Sequence, residues 1–91
     1  MGNDAFVKFA EKILKDYINE HLDKSDGPVE FEVYVVWLCK TLQNNKGLFA
    51  STLMDGMYYE VTYNGDKNEC YLDAYKKFQN VCIDKIPEME N

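Results

Sequence analysis

The hydrophobic period changes once along this chain, and that change limits its possible folds more than any other feature. From Asp4 to Leu22 the apolar residues Phe6, Phe9, Ala10, Ile13, Leu14, Tyr17, Ile18 and Leu22 recur at helical intervals, while Lys8, Glu11, Lys12, Lys15, Asp16, Asn19 and Glu20 fill the opposite side. That spacing predicts an amphipathic helix. Asn3 or Asp4 can cap its start, Glu11 and Lys15 form a favourable pair one turn apart, and Asp23-Lys24-Ser25-Asp26-Gly27-Pro28 ends it.

Beyond Pro28 the period is two. Phe31, Val33, Val35, Trp37 and Cys39 alternate with Glu30, Glu32, Tyr34, Val36, Leu38 and Lys40, which predicts a long strand with the first set on one face. Both faces turn apolar between Tyr34 and Leu38, as expected of a central strand or one covered in part by a second layer. Gln43-Asn44-Asn45-Lys46-Gly47 reads as a turn into a strand from Leu48 to Met54. Asp55-Gly56 and Asn64-Gly65 then supply the positive φ of tight hairpins, with a third strand from Met57 to Tyr63 and a fourth from near Glu69. Between Ala74 and Ile83 the spacing of Tyr75, Phe78 and Cys82 is helical while Val81-Cys82-Ile83 is strand-like; the reading leans to strand.

The sum is one α+β domain over residues 1–91: a helix over about 4–22 packed on a four- to five-stranded antiparallel meander over about 30–83, then a tail over 84–91. Within the meander, Met57, Tyr59, Val61 and Tyr63 face the helix with Cys70, Leu72 and Ala74. Tyr34, Tyr58, Glu60, Tyr71, Asp73 and Tyr75 fall to an open outer face.

Composition removes several functions. Asp and Glu number 16 against 10 Lys, for a net charge of −6, and arginine is absent. Without the guanidinium fork, phosphate and guanine lose their usual bidentate reader, so direct nucleic-acid binding is not expected. The acidity is spread along the chain rather than gathered in an arm, as on an ordinary solvated surface. No run approaches the ~18 apolar residues of a membrane span, no signal peptide is visible, and a cytoplasmic location is expected. Cys39, Cys70 and Cys82 form no CxxC pair, which suggests reduced core thiols rather than a zinc site or a disulfide framework.

Catalytic patterns are equally thin. His21, the single histidine, lies where a helix C-terminus places a dipole partner, and no third group orients a Cys-His pair. The acid pairs Glu30 with Glu32 and Glu60 with Asp73 have nonspecific spacing, and neither GxGxxG nor GxxxxGK occurs. No catalytic residue, metal or cofactor is expected. What stands out is aromatic content, seven Tyr, five Phe and one Trp, more than the thin core of a domain this small absorbs. A face carrying Tyr34, Tyr58, Tyr71 and Tyr75 beside Glu32, Glu60 and Asp73 can either dock a protein or hold cross-strand Tyr pairs that only stabilise the sheet.

The segments VYVVWLCKTLQNNKGLFASTL and DGMYYEVTYNGDKNECYLDAYKKFQNVCI, with HLDKSDG before them, resemble a family of uncharacterised small proteins encoded by phages and prophages of Gram-positive bacteria. The resemblance runs from Val33 to Ile83 and implies no activity, cofactor or residue role. It implies a setting, in which a small acidic protein without catalytic groups binds a host or phage protein. Self-assembly into a homo-oligomeric accessory or structural protein is the alternative, and ligand binding or catalysis in a pocket between helix and sheet is a third.

Overall fold

The computed structural model describes residues 1–25 and 27–88. Helix α1 spans Asn3–His21 and precedes four strands, β1 (Val33–Thr41), β2 (Asn44–Ser51), β3 (Met57–Asn64) and β4 (Glu69–Lys76). They form one antiparallel sheet in the order β1-β2-β3-β4. The α+β meander is therefore present, with four strands.

In α1 the residues Phe6, Ala10, Leu14 and Ile18 are buried, a row repeating every fourth position along one helix face. They close over Phe31 just ahead of β1, Val33 in β1, Phe49 in β2, and Tyr59 and Val61 in β3. Phe6 meets Phe49 edge-on at 6.3 Å between ring centroids, and Tyr17 meets Tyr59 at 6.1 Å. Neither Asn3 nor Asp4 caps the helix: Gly2 is the N-cap, without a side-chain bond, and its carbonyl accepts from the Phe6 N–H at 2.9 Å. Lys15 does not turn to Glu11 but reaches across to Glu32 at 3.3 Å, fastening α1 to the segment that enters β1.

The strict alternation read into β1 is broken. Val35 lies opposite Phe49 and Trp37 opposite Leu48, so Val36 is the extra residue of a β-bulge, and every side chain after it changes face. Trp37 and Cys39 therefore join Tyr34 on the outer side, and Leu38 and Lys40 turn towards the helix. The bulge explains why both apparent faces of this strand are apolar between Tyr34 and Leu38.

The first turn is also displaced. Thr41 pairs with Asn44, which leaves Leu42-Gln43 as a two-residue loop with Leu42 at φ 55°, and β2 begins at Asn44 and ends at Ser51. The polar residues Asn44 and Asn45 belong to the strand because their side chains have structural partners. The Asn44 Oδ1 accepts from the Gly65 N–H at 3.2 Å. Buried Asn45 donates its amide to the Met1 carbonyl at 3.1 Å, which Lys40 also holds at 2.8 Å. Gly56 has the expected positive φ, with the Asp55 carboxylate accepting from the Met57 N–H at 3.0 Å. Gly65 does not; in that loop Asn68 takes the positive φ.

The lean to strand through Ile83 is corrected: β4 stops at Lys76, and residues 77–88 have no regular structure and are exposed. Positions 89–91 of the expected tail lie outside the described residues. The three cysteines are free but exposed, not core thiols.

Candidate functional site

Strand register decides which side chains share the outer face. Tyr34, Ala50, Tyr58 and Tyr75 form one row across the four strands; Trp37, Leu48, Glu60 and Asp73 form the next; Cys39, Lys46, Thr62 and Tyr71 form the third. All six residues singled out in the sequence, Tyr34, Tyr58, Glu60, Tyr71, Asp73 and Tyr75, lie together on this side. Trp37 is the residue that sequence reasoning misses, because without the bulge its position falls on the helix face; the uninterrupted apolar run from Tyr34 to Leu38 is the available signal. Glu32 is elsewhere, paired with Lys15.

The face is wide and aromatic. Tyr34 is 50% exposed, Trp37 41%, Tyr71 56% and Tyr75 51%. Ala50, between Tyr34 and Tyr58, is buried, so the tyrosines shelter the small residue on the central strand. In the middle row Glu60 and Asp73 are direct cross-strand neighbours, an arrangement that destabilises a sheet because like charges stand opposite one another. Lys46 offsets part of this, with its ammonium 3.3 Å from Glu60; Asp73 has no ion pair among the described residues. A cation brought by another molecule would complete this row.

Two tyrosines have raised pKa values for different reasons. The Tyr71 hydroxyl donates to the Glu69 carboxylate at 2.6 Å, and that bond, with the adjacent negative charge, pushes its ionisation above the usual value. On the helix side, burial raises Tyr59, helped by the Asp55 charge. A native group that holds its proton longer than the unfolded chain stabilises the fold below the unfolded value, near 10 for tyrosine, and that stability is lost as pH rises through the folded value. Urea melts at increasing pH above 9 are therefore expected to show falling stability, with a shallower fall for Tyr59→Phe.

The other sequence candidates do not assemble. His21 donates from Nδ1 to the Tyr17 carbonyl at 2.8 Å in the tautomer that carries the proton there, and its ring lies 4.2 Å from that of Tyr17. This is the helix-end role expected of it, and no cysteine bonds to it among the described residues. Cys39, Cys70 and Cys82 are divided among the outer face, the helix side of β4 and the C-terminal segment, and partial burial holds the Cys70 thiol above its ordinary value. Among the described residues no three His, Cys, Asp or Glu side chains converge to hold a metal, and no helix is long and apolar enough to cross a membrane.

An opening of about 430 Å³ is a polar, solvent-open hollow beside Lys15, Asn19 and Glu30. Smaller grooves flank α1, one of about 240 Å³ along its last turns beside Met57 and Tyr59. A further hollow of about 250 Å³ lies on the outer face beside Cys39, Lys46 and Thr62; none of these four takes in Trp37 or a tyrosine of that face.

No curated protein and no solved structure matches this chain. One family does, over residues 7–85, and so takes in most of α1, the whole sheet and most of the exposed C-terminal segment. On that match the chain belongs to the DUF6275 family, a family of unknown function.

Proposed function

We propose that this domain is a protein-interaction module that docks a host or phage protein on the outer face of its sheet, acting in the cytoplasm of a bacterial host and in a phage or prophage setting. The observation that carries this reading is the middle of that face, where Glu60 stands beside Asp73 among exposed Trp37, Tyr34, Tyr71 and Tyr75. Aromatic side chains supply contact area at low entropy cost. The opposed carboxylates, which weaken the isolated sheet, suit a partner that inserts lysine or arginine between the tyrosines. The work is binding, with no reaction or cofactor assigned to the domain.

The test is a comparative capture from nuclease-treated bacterial lysate, using the full chain and its Tyr58→Ala and Tyr71→Ala variants, with quantitative mass spectrometry. Hot-spot aromatics contribute about 2 kcal/mol or more, roughly 30-fold in affinity. Both variants are expected to keep the circular dichroism of the parent and to lose one stoichiometric protein. Undiminished capture by both would remove the outer face as the docking surface.

A further inference from the structure

The helix side of the sheet is only partly covered. A helix is about 10 Å across and four strands span roughly 15–19 Å, and α1 lies nearest β1. On β4 the helix-facing residues are Cys70, Leu72 and Ala74, opposite Tyr63, Val61 and Tyr59; Cys70 and Ala74 are exposed and Leu72 is only partly buried. Between this strip and α1 runs the groove of about 240 Å³ lined by Tyr17, Ile18, Leu22, Met57 and Tyr59, with His21 and Asp55 also on its wall.

At the same end of the sheet the chain departs. Lys76 pairs with Met57, the Lys77 N–H donates to the Gly56 carbonyl at 2.7 Å, and residues 77–88 continue beyond the sheet without packing on it. This segment carries Phe78, 97% exposed, with Val81, Ile83 and Ile86 also exposed. Each such side chain forgoes about 1.5–3 kcal/mol of burial. Phe78, Val81, Cys82 and Ile86 share one face at helical spacing, yet nine residues cannot hold a helix without a surface to pack on.

The dimensions of the chain say how much surface is missing. A compact protein of 10.6 kDa exposes about 5,500 Å², whereas this chain exposes 7228 Å². Its radius of gyration is 16.4 Å, against about 12 Å for a compact domain of its length. The excess of about 1,700 Å² is what one subunit contributes to a large obligate homodimer interface.

We propose that the chain forms a two-fold dimer in which residues 78–86 of each copy pack on the helix side of the other, in the groove beside α1 and along the Cys70, Leu72 and Ala74 strip. A second copy is the fitting occupant because segment and groove occur once each per chain and lie at the same end of the sheet, so a two-fold axis there exchanges both at once and closes the assembly. As a helix the nine residues are about 14 Å long, within the roughly 26 Å length of β4. The exchange leaves the outer face free, so it holds whether or not that face docks a partner.

Sedimentation of the full chain from 1 to 100 µM tests this. A species of about twice 10.6 kDa is expected for the parent and for Tyr71→Ala, and a monomer of similar sheet content for the Phe78→Asp, Ile86→Asp double variant, whose dissociation constant should rise at least 100-fold. A parent that stays monomeric at 100 µM overturns the proposal, as does a double variant that still dimerises or a Tyr71→Ala chain that does not. Mild oxidation of mixed isotope-labelled and unlabelled chains locates the segment: an interchain Cys70–Cys82 link is expected, and a dominant Cys39–Cys82 link would move it to the outer face and contradict the placement.

Discussion

Phe49→Ala is expected to destabilise the domain by about 3–5 kcal/mol, the range for emptying a fully enclosed aromatic site. Phe49 has no exposed surface, stands edge-on to Phe6, and covers Gly47, where an added Cβ would lie 2.8 Å from its ring. Collapse into the space is limited because α1 is tied at its N-terminus, where Met1 is held by Lys40 and Asn45, and along its length by the burial of Phe6, Ala10, Leu14 and Ile18 against the sheet. A domain of 91 residues has a total stability of roughly 5–14 kcal/mol. The loss should lower the melting temperature by on the order of 15–30 °C in a thermal scan at fixed protein concentration. A change below about 1 kcal/mol would mean that α1 does not sit on the sheet as described.

Gly65→Ala should cost about 2 kcal/mol or more, within the usual range for forcing extra volume into a closed site. Its φ is not positive, so the restriction is one of space. A Cβ there would overlap the Gln43 carbonyl and the Gln43 Cβ. That carbonyl cannot easily swing away, since it belongs to a two-residue turn closed by the Thr41 and Asn44 pair, with Leu42 already in the left-handed region. Gly56→Ala is the control. No atom lies within 4 Å of a Cβ at Gly56, whose φ is +71°, so only the left-handed backbone is penalised, at about 1–2 kcal/mol. Equilibrium urea unfolding should rank Gly65→Ala as the more damaging; the reverse order would show that the two loops do not meet.

Much of this architecture is legible in the amino-acid sequence. Helical spacing locates α1, and the Asp55-Gly56 and Asn64-Gly65 pairs separate β3 from its neighbours. Simple alternation in β3 and β4 is enough to bring Tyr58, Glu60, Tyr71, Asp73 and Tyr75 to one face. The failures have physical causes. An extra residue at Val36 reverses alternation without altering composition, so alternation alone puts Trp37 and Cys39 on the wrong side. The turn at Leu42-Gln43 carries no glycine, asparagine or aspartate; its positive φ falls on a leucine, a residue that ordinarily avoids that region, and the nearby asparagines draw the expected turn along the chain. Cysteines usually occupy cores, but here register and bulge place Cys39 and Cys70 on uncovered parts of the sheet. The C-terminal segment carries two hydrophobic periods at once and satisfies neither on its own surface, which is why local pattern does not assign it.

Radical footprinting of the aromatic residues, on the chain alone and bound to the protein it captures, distinguishes docking on the outer face from docking on the helix side. Docking on the outer face predicts that Trp37, Tyr34, Tyr71 and Tyr75 become protected together while Tyr63, on the helix side, labels as it does in the free chain. Protection of Tyr63 and the α1 face, with Trp37, Tyr71 and Tyr75 still labelling at their free rates, would contradict it.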